Sequence, residues 1–241
     1  MVKGVLGFAA SKSNSMEPTL KIVDVDIYVY TFDTYNISIV AFRTIFEIVY
    51  EPSQTLSIHQ VGQNFKYRYL VNGSFFEWSG KHAGWLSISG NKHMPWKHDR
   101  QLTHIAILNT TTGEMVFKSA ELWEPSMSDK ANIEFQTGPL VIQGNVLDMP
   151  SIRQSINGQR SHQRTLLGYT KEDKMKFFIT VRKPERLDKL GEYLLKLSIF
   201  EAKTLSVINL DGGPSVALHT QAHPEMNHNG GAILPILFAL R

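Results

Sequence analysis

The chain has 241 residues, of which 42% are hydrophobic and 20% charged, and its 25 Lys and Arg against 22 Asp and Glu leave a net charge of +3. This balance excludes a disordered chain, and because the basic residues form no run of five or six, we predict no nucleic-acid partner. The complete lack of cysteine excludes disulfides, thiolate metal sites and cysteine nucleophiles.

The apolar runs and the N-terminal segment bear on where in the cell, or outside it, the protein is located. No stretch reaches the roughly 18 apolar residues of a membrane helix, so we predict no integral membrane segment. Residues 1–10 combine one Lys with an apolar run too short for a signal peptide, which leaves an exported and a cytoplasmic location both open. We expect residues 1–19 to form an N-terminal tail or weak targeting segment and residues 20–241 to form one domain.

The first half of the chain is typical of β-structure. Strict alternation begins at Leu20, with Val23 and Val29 on the same face, and predicts a single half-buried strand. Later β-rich runs end in turn signals such as Asn72-Gly73. They predict strands at residues 37–42, 45–50, 66–71, 85–88, 104–108 and 115–117.

The second half adds one clear helix. Leu187, Leu190, Leu194 and Leu197 recur at steps of three and four, and Pro184 suits a first helical turn, so we predict an amphipathic helix here. Strands are predicted at 139–142, 163–168, 176–181, 205–210 and 233–240. Since no linker or repeat interrupts the pattern, we predict a single α+β domain, mainly mixed or antiparallel β-sheet with a few helices.

The most informative segment follows a buried strand near the C-terminus. An apolar run leads into Asn209, Asp211, Gly212 and Gly213. An amide and a carboxylate therefore stand at the end of a strand, next to backbone that a ligand can approach closely. An ordinary Asp-Gly turn is the alternative explanation of this pattern.

Three other segments share this character. Asn72 and Gly73 end a predicted strand, and Gln136 and Gly138 lead into another. Arg164 lies inside a predicted strand, where an unpaired charge is costly. Its guanidinium should therefore face a carboxylate, a phosphate or solvent.

These motifs together resemble one family. Asn-Gly-x-Phe-Phe from Asn72, Gln-x-Gly-Pro-Leu from Gln136, Arg-Thr-x-x-Gly from Arg164 and Asn-Leu-Asp-Gly-Gly-x-Ser from Asn209 occur in the order seen in phosphodiester glycosidase domains. The resemblance runs from about Tyr67 to the C-terminus. It implies a hydrolase that cleaves a sugar-1-phosphate diester, with a carbohydrate or sugar-phosphate as substrate. No cofactor or metal ligand is predicted, and metal dependence and oligomeric state stay open.

The resemblance also implies roles for single residues. Because the leaving group is a phosphate monoester, stabilising an anion should matter more than general-acid assistance. Asp211 is assigned as nucleophile or as base, and Arg164 as the phosphate ligand, bidentate where geometry allows. The predicted substrate-binding residues are Asn72, Gly73, Gln136, Gly138, Thr165, Asn209, Gly212, Gly213 and Ser215. A purely structural ion pair between Arg164 and Asp211 is the alternative.

Two departures from the family pattern open a second class of function. Pro214 stands where a third glycine is usual, and it fixes φ and removes an amide donor. Ser74 stands where a second glycine is usual. A catalytically inactive carbohydrate-binding or structural module of the same fold is therefore the alternative.

Weaker signals complete the sequence. Ser15 with Lys66 resembles a Ser-Lys peptidase pair, but no membrane anchor precedes the serine, so this is a remote alternative. His219, His223 and His228 lack metal-site spacing and are expected to be solvated loop residues.

Tryptophans occur in a glycine-rich region of the first half. Trp78, Trp85 and Trp96 could stack on sugar rings or pack in a small additional core, and the sequence leaves both possibilities open.

Overall fold

The computed structural model describes residues 16–24, 26–53, 56–231 and 233–241. The first 15 residues, which hold the signal-like segment and Ser15, lie outside the described residues. The described strands are β1 (Leu20–Asp24), β2 (Ile27–Phe32), β3 (Ile37–Phe42), β4 (Glu47–Tyr50), β5 (Tyr69–Asn72), β6 (Leu86–Ile88), β7 (Asn91–Met94), β8 (His104–Asn109), β9 (Met115–Ser119), β10 (Asn132–Thr137), β11 (Leu140–Gln143), β12 (Val146–Leu147), β13 (His162–Thr170), β14 (Met175–Glu185), β15 (Leu205–Asn209), β16 (Leu218–Thr220) and β17 (Ile236–Leu240). The helices are α1 (Ile58–Phe65), α2 (Met149–Gln154) and α3 (Leu187–Leu194).

The strands form three sheets. An eight-stranded sheet has the order β1-β2-β3-β14-β13-β15-β11-β12, a five-stranded sheet the order β7-β6-β10-β8-β9, and a four-stranded sheet the order β16-β5-β17-β4. The paired strands are antiparallel throughout. The prediction of one α+β domain dominated by β-sheet is confirmed.

The largest core lies between the eight-stranded sheet and the two smaller sheets. Phe238 of β17 has its ring centroid 5.0 Å from that of Phe46, 5.0 Å from that of Phe135 and 6.0 Å from that of Phe178. Since Phe135 belongs to β10 and Phe178 to β14, this ring of the four-stranded sheet contacts side chains of both other sheets. A second core covers the opposite face of the eight-stranded sheet with α2 and α3.

Helix α1 covers the outer face of the four-stranded sheet. Ser57 and Gln60 form a capping box at its N-terminus, and its apolar face buries Ile58 and Val61. Among the described residues, no helix has the length and apolar character needed to cross a membrane.

The structure corrects two predicted elements. The single strand expected from Leu20 is a hairpin of β1 and β2, with Asp26 in the left-handed region at φ 58°. Asp adopts this conformation more readily than most residues, and no Gly marked the turn. The predicted helix begins at Leu187 and ends at Leu194, so Pro184 lies in β14 and Leu197 follows the helix.

Other elements were missed or extend beyond the expected tail. Helices α1 and α2 and strand β10 were not predicted; in β10 the alternating polar residues Glu134 and Gln136 are buried rather than solvated. Within the expected tail, Met16 donates its backbone N–H to the carbonyl of Lys196 at 2.9 Å and is therefore attached to the domain.

We expect Phe238→Ala to lower the free energy of unfolding by about 3–5 kcal/mol, because the substitution leaves a cavity where the three sheets meet. Urea denaturation measures this loss. Phe65→Ala is the matched control, since Phe65 is 54% exposed. A loss of similar size in both variants would contradict the role given to Phe238.

Candidate active site

The candidate site forms where two adjacent strands of the eight-stranded sheet end. In the antiparallel ladder Leu166 of β13 pairs with Asn209 of β15. Continuing this register by two residues on each strand places Arg164 opposite Asp211. The register of the sheet therefore brings together two residues that are far apart in the sequence.

A cavity of about 200 Å³, here called the Asp211 cavity, opens at this point. Six of the predicted site residues line it: Gly138, Arg164, Asn209, Asp211, Gly212 and Gly213. The remaining lining residues were not among the predicted site residues, although Phe75 and Pro214 stand within the family motifs; they are Phe75, Gln101, Ser155, Asn157, His162 and Pro214.

Asp211 is the carboxylate of this cavity. Its Oδ1 accepts a hydrogen bond from the backbone N–H of Gly212 at 2.8 Å, and the Ser215 hydroxyl also bonds to the carboxylate. Burial outweighs these two bonds and raises the pKa of Asp211 from its usual 3.8 to about 6. The group is therefore mostly ionised at neutral pH and protonated in mild acid.

Arg164 provides the positive charge of the cavity. The residue is 4% exposed, and burial lowers its pKa to about 10, so the guanidinium is protonated at neutral pH. Nη2 donates to the carbonyls of Asn157 and Arg160, both at 2.7 Å, while Nε is buried without a hydrogen-bond partner among the described residues.

These contacts settle two open points about Arg164. Nη2 belongs to both planar donor pairs of a guanidinium, so a bidentate phosphate contact is not available while the two carbonyl bonds persist. Within the described part of the chain, no carboxylate contributes to the pKa of Arg164. The structural ion pair with Asp211 is therefore not formed.

His162 is the other titratable group of the cavity. Burial and the positive charges of Arg164 and Arg160 lower the pKa of His162, so its imidazole is neutral at pH 7. Its Nε2 is buried and has no hydrogen-bond partner among the residues described. The position of His162 two residues before Arg164 in the same strand was the signal that could have identified it.

Asn72 lies behind the cavity and braces it. Its Nδ2 donates to the carbonyl of Asp211 at 2.8 Å, and its Oδ1 accepts from the Thr165 hydroxyl and from the Ala217 N–H at 3.0 Å. The side chain is 1% exposed, and these bonds use its hydrogen-bonding groups internally. Asn72 and Thr165 are therefore placed to hold Asp211 in position.

Gln136 also lies outside the cavity lining. Its Oε1 accepts from the N–H of Trp85 at 2.7 Å and from that of Lys97 at 3.0 Å, and its Nε2 donates to the Lys97 carbonyl at 2.8 Å. Because the side chain is fully buried, these bonds fix the segment that begins at Lys97 against β10.

The glycines of the site have different roles. Gly138 has φ 140°, and a Cβ there would lie 2.5 Å from the Thr103 Oγ1, so a larger residue would displace the cavity wall. Gly213 has φ 58° and open space around its Cβ position. Gly73 does not line the cavity, because Ile236 fills the space beside it.

The two departures from the family pattern lie in different places. Ser74 is buried and donates to the Gln136 carbonyl at 2.8 Å, so it belongs to the wall behind the cavity. Pro214 is exposed and lines the cavity itself, in the 3-10 turn Gly213–Ser215. Only the second departure can contact a ligand directly.

The histidines proposed for the loops do not come together. His219 is buried in β16, and its Nδ1 lies 2.7 Å from the Nδ1 of His59, so the prediction of a solvated residue was wrong here. His223 lies 3.6 Å from Glu225, and His228 pairs with Leu218 in an isolated bridge. Within the described residues no group of three His, Asp or Glu side chains is arranged as a metal site.

The tryptophans divide into two kinds. Trp78 is fully exposed, whereas Trp85 and Trp96 pack on Trp123 with ring centroids 5.4 and 5.0 Å apart.

The Ser15–Lys66 pair of the peptidase alternative is described only in part. Lys66 follows α1 in a left-handed conformation at φ 57°, and Ser15 lies outside the described residues.

The fold and the cavity define a β-rich α+β domain with a polar pocket at the ends of two strands. Sequence comparison agrees with this class: a profile of the phosphodiester glycosidase family matches residues 65–237. The chain belongs to the phosphodiester glycosidase family. A search of curated protein sequences gives no match.

Solved structures show the same fold. The catalytic domain of zebrafish N-acetylglucosamine-1-phosphodiester alpha-N-acetylglucosaminidase, auto-inhibited by its pro-peptide, matches with a TM-score of 0.59 and 14% identity, over 89% of this chain and 81% of that one. A hypothetical protein from Synechocystis matches with a TM-score of 0.56 and 10% identity, over 92% of this chain and 61% of that one.

We expect Gln136→Leu to lower the free energy of unfolding by about 2–4 kcal/mol, because it leaves backbone groups of Trp85 and Lys97 buried and unpaired. Thermal or urea denaturation measures the loss. Gln154→Leu is the control, since Gln154 is exposed and makes no comparable set of bonds. Equal stability of the two variants would show that the amide is not needed to hold this segment.

Proposed function

We propose that the chain is a hydrolase that cleaves a sugar-1-phosphate phosphodiester bond in a glycan or related conjugate. The observation that carries the proposal is the Asp211 cavity, where a partly buried carboxylate and a buried guanidinium face one space without forming an ion pair. A ligand that joins an electrophilic sugar carbon to a phosphate would satisfy both charges. Family membership supports the same class of reaction.

The composition of the cavity favours a phosphate leaving group over an ordinary alcohol. Asp211 is the one carboxylate among the described lining residues. Most hydrolases of simple glycosides use two carboxyl groups, one of which protonates the departing oxygen. A phosphate monoester departs as a stable anion and needs little protonation, so a single carboxylate with a guanidinium suffices.

The proposed reaction breaks the bond between the sugar C1 and the phosphate oxygen. The Asp211 carboxylate either attacks C1 directly or takes a proton from a water that attacks it. The electron pair of the broken C1–O bond stays with the phosphate, whose added charge Arg164 stabilises through its protonated guanidinium. With direct attack, a water then hydrolyses the sugar ester of Asp211 and releases the free sugar.

The surrounding residues have two proposed tasks. Asn209, Gly138, Gly212 and Gly213 line the cavity and offer amide and backbone groups to the substrate. Asn72, Ser215 and Gln136 act as positioning residues, because their polar groups bond to the backbone or to Asp211. Thr165 acts with them, because its hydroxyl donates to the Asn72 side chain. Gly73 contributes its carbonyl, which accepts from the Asp211 N–H at 3.3 Å.

We expect Asp211→Asn to lower the rate of phosphodiester cleavage by roughly 10³-fold or more, because an amide can neither attack C1 nor accept a proton. N-acetylglucosamine-1-phosphate diesters are the first substrates to assay, since the zebrafish relative is named for this linkage. Asp33→Asn, at an exposed aspartate, is the matched control. Binding without turnover by both the parent chain and the variant would instead support an inactive carbohydrate-binding module.

We expect kcat/KM to fall as the pH is lowered through about 6, because protonation of Asp211 removes the reactive carboxylate.

The raised pKa of Asp211 also makes the free energy of unfolding depend on pH. Since the folded pKa lies above the unfolded one, folding takes up a proton between about pH 4 and 6. The free energy of unfolding therefore decreases across this window as pH rises, by up to about 3 kcal/mol.

Asp211→Asn removes the pH-dependent contribution of Asp211 to the free energy of unfolding. The stabilities of the parent chain and the variant should therefore diverge as the pH rises to 7. Denaturation at several pH values, together with the pH profile of kcat/KM, measures both effects. A flat profile between pH 5 and 8 would exclude Asp211 as the reactive group.

A further inference from the structure

Two histidines meet where helix α1 packs on the edge of the four-stranded sheet. His59 lies in the first turn of α1 and His219 in the middle of the edge strand β16, and their Nδ1 atoms are 2.7 Å apart. The two residues are here called the His59–His219 pair. The reaction proposed above uses neither of them.

The imidazole of His219 is enclosed by the helix. His219 is 4% exposed, whereas His59 is half-buried. A Cβ on Gly62, one turn after His59 in α1, would lie 2.0 Å from the Cδ2 and 2.2 Å from the Nε2 of His219. The ring therefore lies directly against the helix backbone, where only a glycine leaves room for it.

The short contact between the rings determines which nitrogens carry protons. One Nδ1 must donate and the other must accept, because two N–H groups or two lone pairs would repel each other at this distance. The Nε2 of His219 is buried and has no hydrogen-bond partner among the described residues, so an N–H there would be costly. The donor is therefore the Nδ1 of His219 and the acceptor the Nδ1 of His59.

A further proton has no favourable place in this arrangement. On the Nδ1 of His59 it would face the N–H of His219, and on the Nε2 of His219 it would lie beside Gly62 without an acceptor. Burial, and after it the charge of His59, lower the pKa of His219. Two protonated rings would also place two positive charges in contact. The packed arrangement is therefore that of the neutral pair.

No carboxylate is placed to compensate a charge on His219. In the described part of the chain, α1, β16 and β17 carry no titratable side chain besides the pair itself, and Tyr69 of β5 belongs to the core on the opposite face of the sheet. None of the titratable groups on β4 and the flanking segments contributes to the shift of the His219 pKa. These groups are Glu47, Tyr50, Lys66, Tyr67, Arg68, His223, Glu225 and Arg241.

Helix α1 depends on few contacts for its stability. It has eight residues, and a helix of this length is not stable alone in water. Its buried side chains are Ile58 and Val61, and residues 63–65 are exposed. The Gln221 Nε2 adds a second polar contact by donating to the Gly62 carbonyl at 3.0 Å. Loss of one of these contacts is therefore expected to favour local unfolding of the helix.

We propose that the His59–His219 pair is an acid-sensitive switch, which holds α1 on the four-stranded sheet at neutral pH and releases it as the pH falls below about 6.5. In the released state both imidazoles reach water and take up protons. The proposal is independent of the hydrolase function, because it concerns the packing of a helix and not the bond that is cleaved.

The switch is close in the chain to the residues that hold Asp211. Ala217 lies two residues before His219; it donates its N–H to the Asn72 Oδ1 at 3.0 Å and accepts from the Asn72 backbone N–H at 3.3 Å. Asn72 in turn bonds to the carbonyl of Asp211. Release of α1 therefore removes support from the segment that contacts Asn72.

Hydrogen–deuterium exchange of the α1 amides between pH 7.5 and 5.5 tests the proposal, with each rate divided by the intrinsic rate at that pH. Below about pH 6.5 we expect the protection of α1 to fall about tenfold per pH unit for each proton that opening takes up. The protection of β13 and β14 should not fall with it. Asp211, with a pKa of about 6, cannot cause the effect, because its protonation stabilises the folded state.

Two variants remove the titrating group at the centre of the switch. His219→Leu keeps an apolar side chain beside Gly62, and His219→Gln keeps an amide that can donate to a neutral His59 or accept from a protonated one. In either variant the protection of α1 should be nearly the same at pH 7.5 and 5.5. Gln221→Ala is the matched control: it removes a contact of α1 that does not titrate, so it should lower protection by the same factor at both pH values.

Constant protection of α1 from pH 7.5 to 5.5 in the parent chain would overturn the proposal. An equal fall in the His219 variants would do the same, and so would a fall shared equally by β13 and β14, which would indicate unfolding of the whole domain.

A second measurement needs no variant. The assigned NMR signals of the two rings in the parent chain should titrate together with the amide signals of α1. Titration of both rings near pH 6.5 with unchanged α1 signals would show that the packed helix accepts the protons, and the proposal would fail.

Discussion

One buried amide, that of Asn72, connects the parts of the molecule that make the site. Asn72 belongs to β5 of the four-stranded sheet, yet its side chain bonds to Thr165 of β13 and to backbone groups of Asp211 and Ala217. Hydrogen bonds that are shielded from water are costly to break, because each leaves a buried polar group unpaired. The position of the Asp211 carboxylate therefore depends on how two separate sheets are joined.

This bracing explains how the cavity can hold two opposite charges apart. An ion pair between Asp211 and Arg164 would neutralise the two charges that the proposed substrate is expected to contact. Arg164 is instead held by the carbonyls of Asn157 and Arg160, and Asp211 by Gly212 and Ser215. Groups fixed in advance by the fold need no reorganisation when charge develops on a ligand, which is the main source of electrostatic catalysis.

The residues at the strand ends were predictable from the sequence motifs, but the sequence did not show which of them line the cavity and which bond to the backbone. Asp211 and Asn209 follow a buried strand, and the register of β13 and β15 makes Arg164 their neighbour, so these residues were predictable. Asn72 and Gln136 are also amides in family motifs, but they bond to the backbone, and residue type alone does not distinguish an inner brace from a ligand contact. His162 was missed although it lies two residues before Arg164 in the same strand, because the motif that marks this strand begins at Arg164. Strand β10 was missed because its buried polar residues give the alternation expected of a solvent-exposed face.

The two charges of the Asp211 cavity also have a cost for the stability of the fold. Burial raises the pKa of Asp211 and lowers that of Arg164, so the charged form of each group is less stable in the cavity than in water. A neutral side chain at position 211 or 164 would remove this cost. Substitutions that gain stability in this way at a functional site commonly lower its activity.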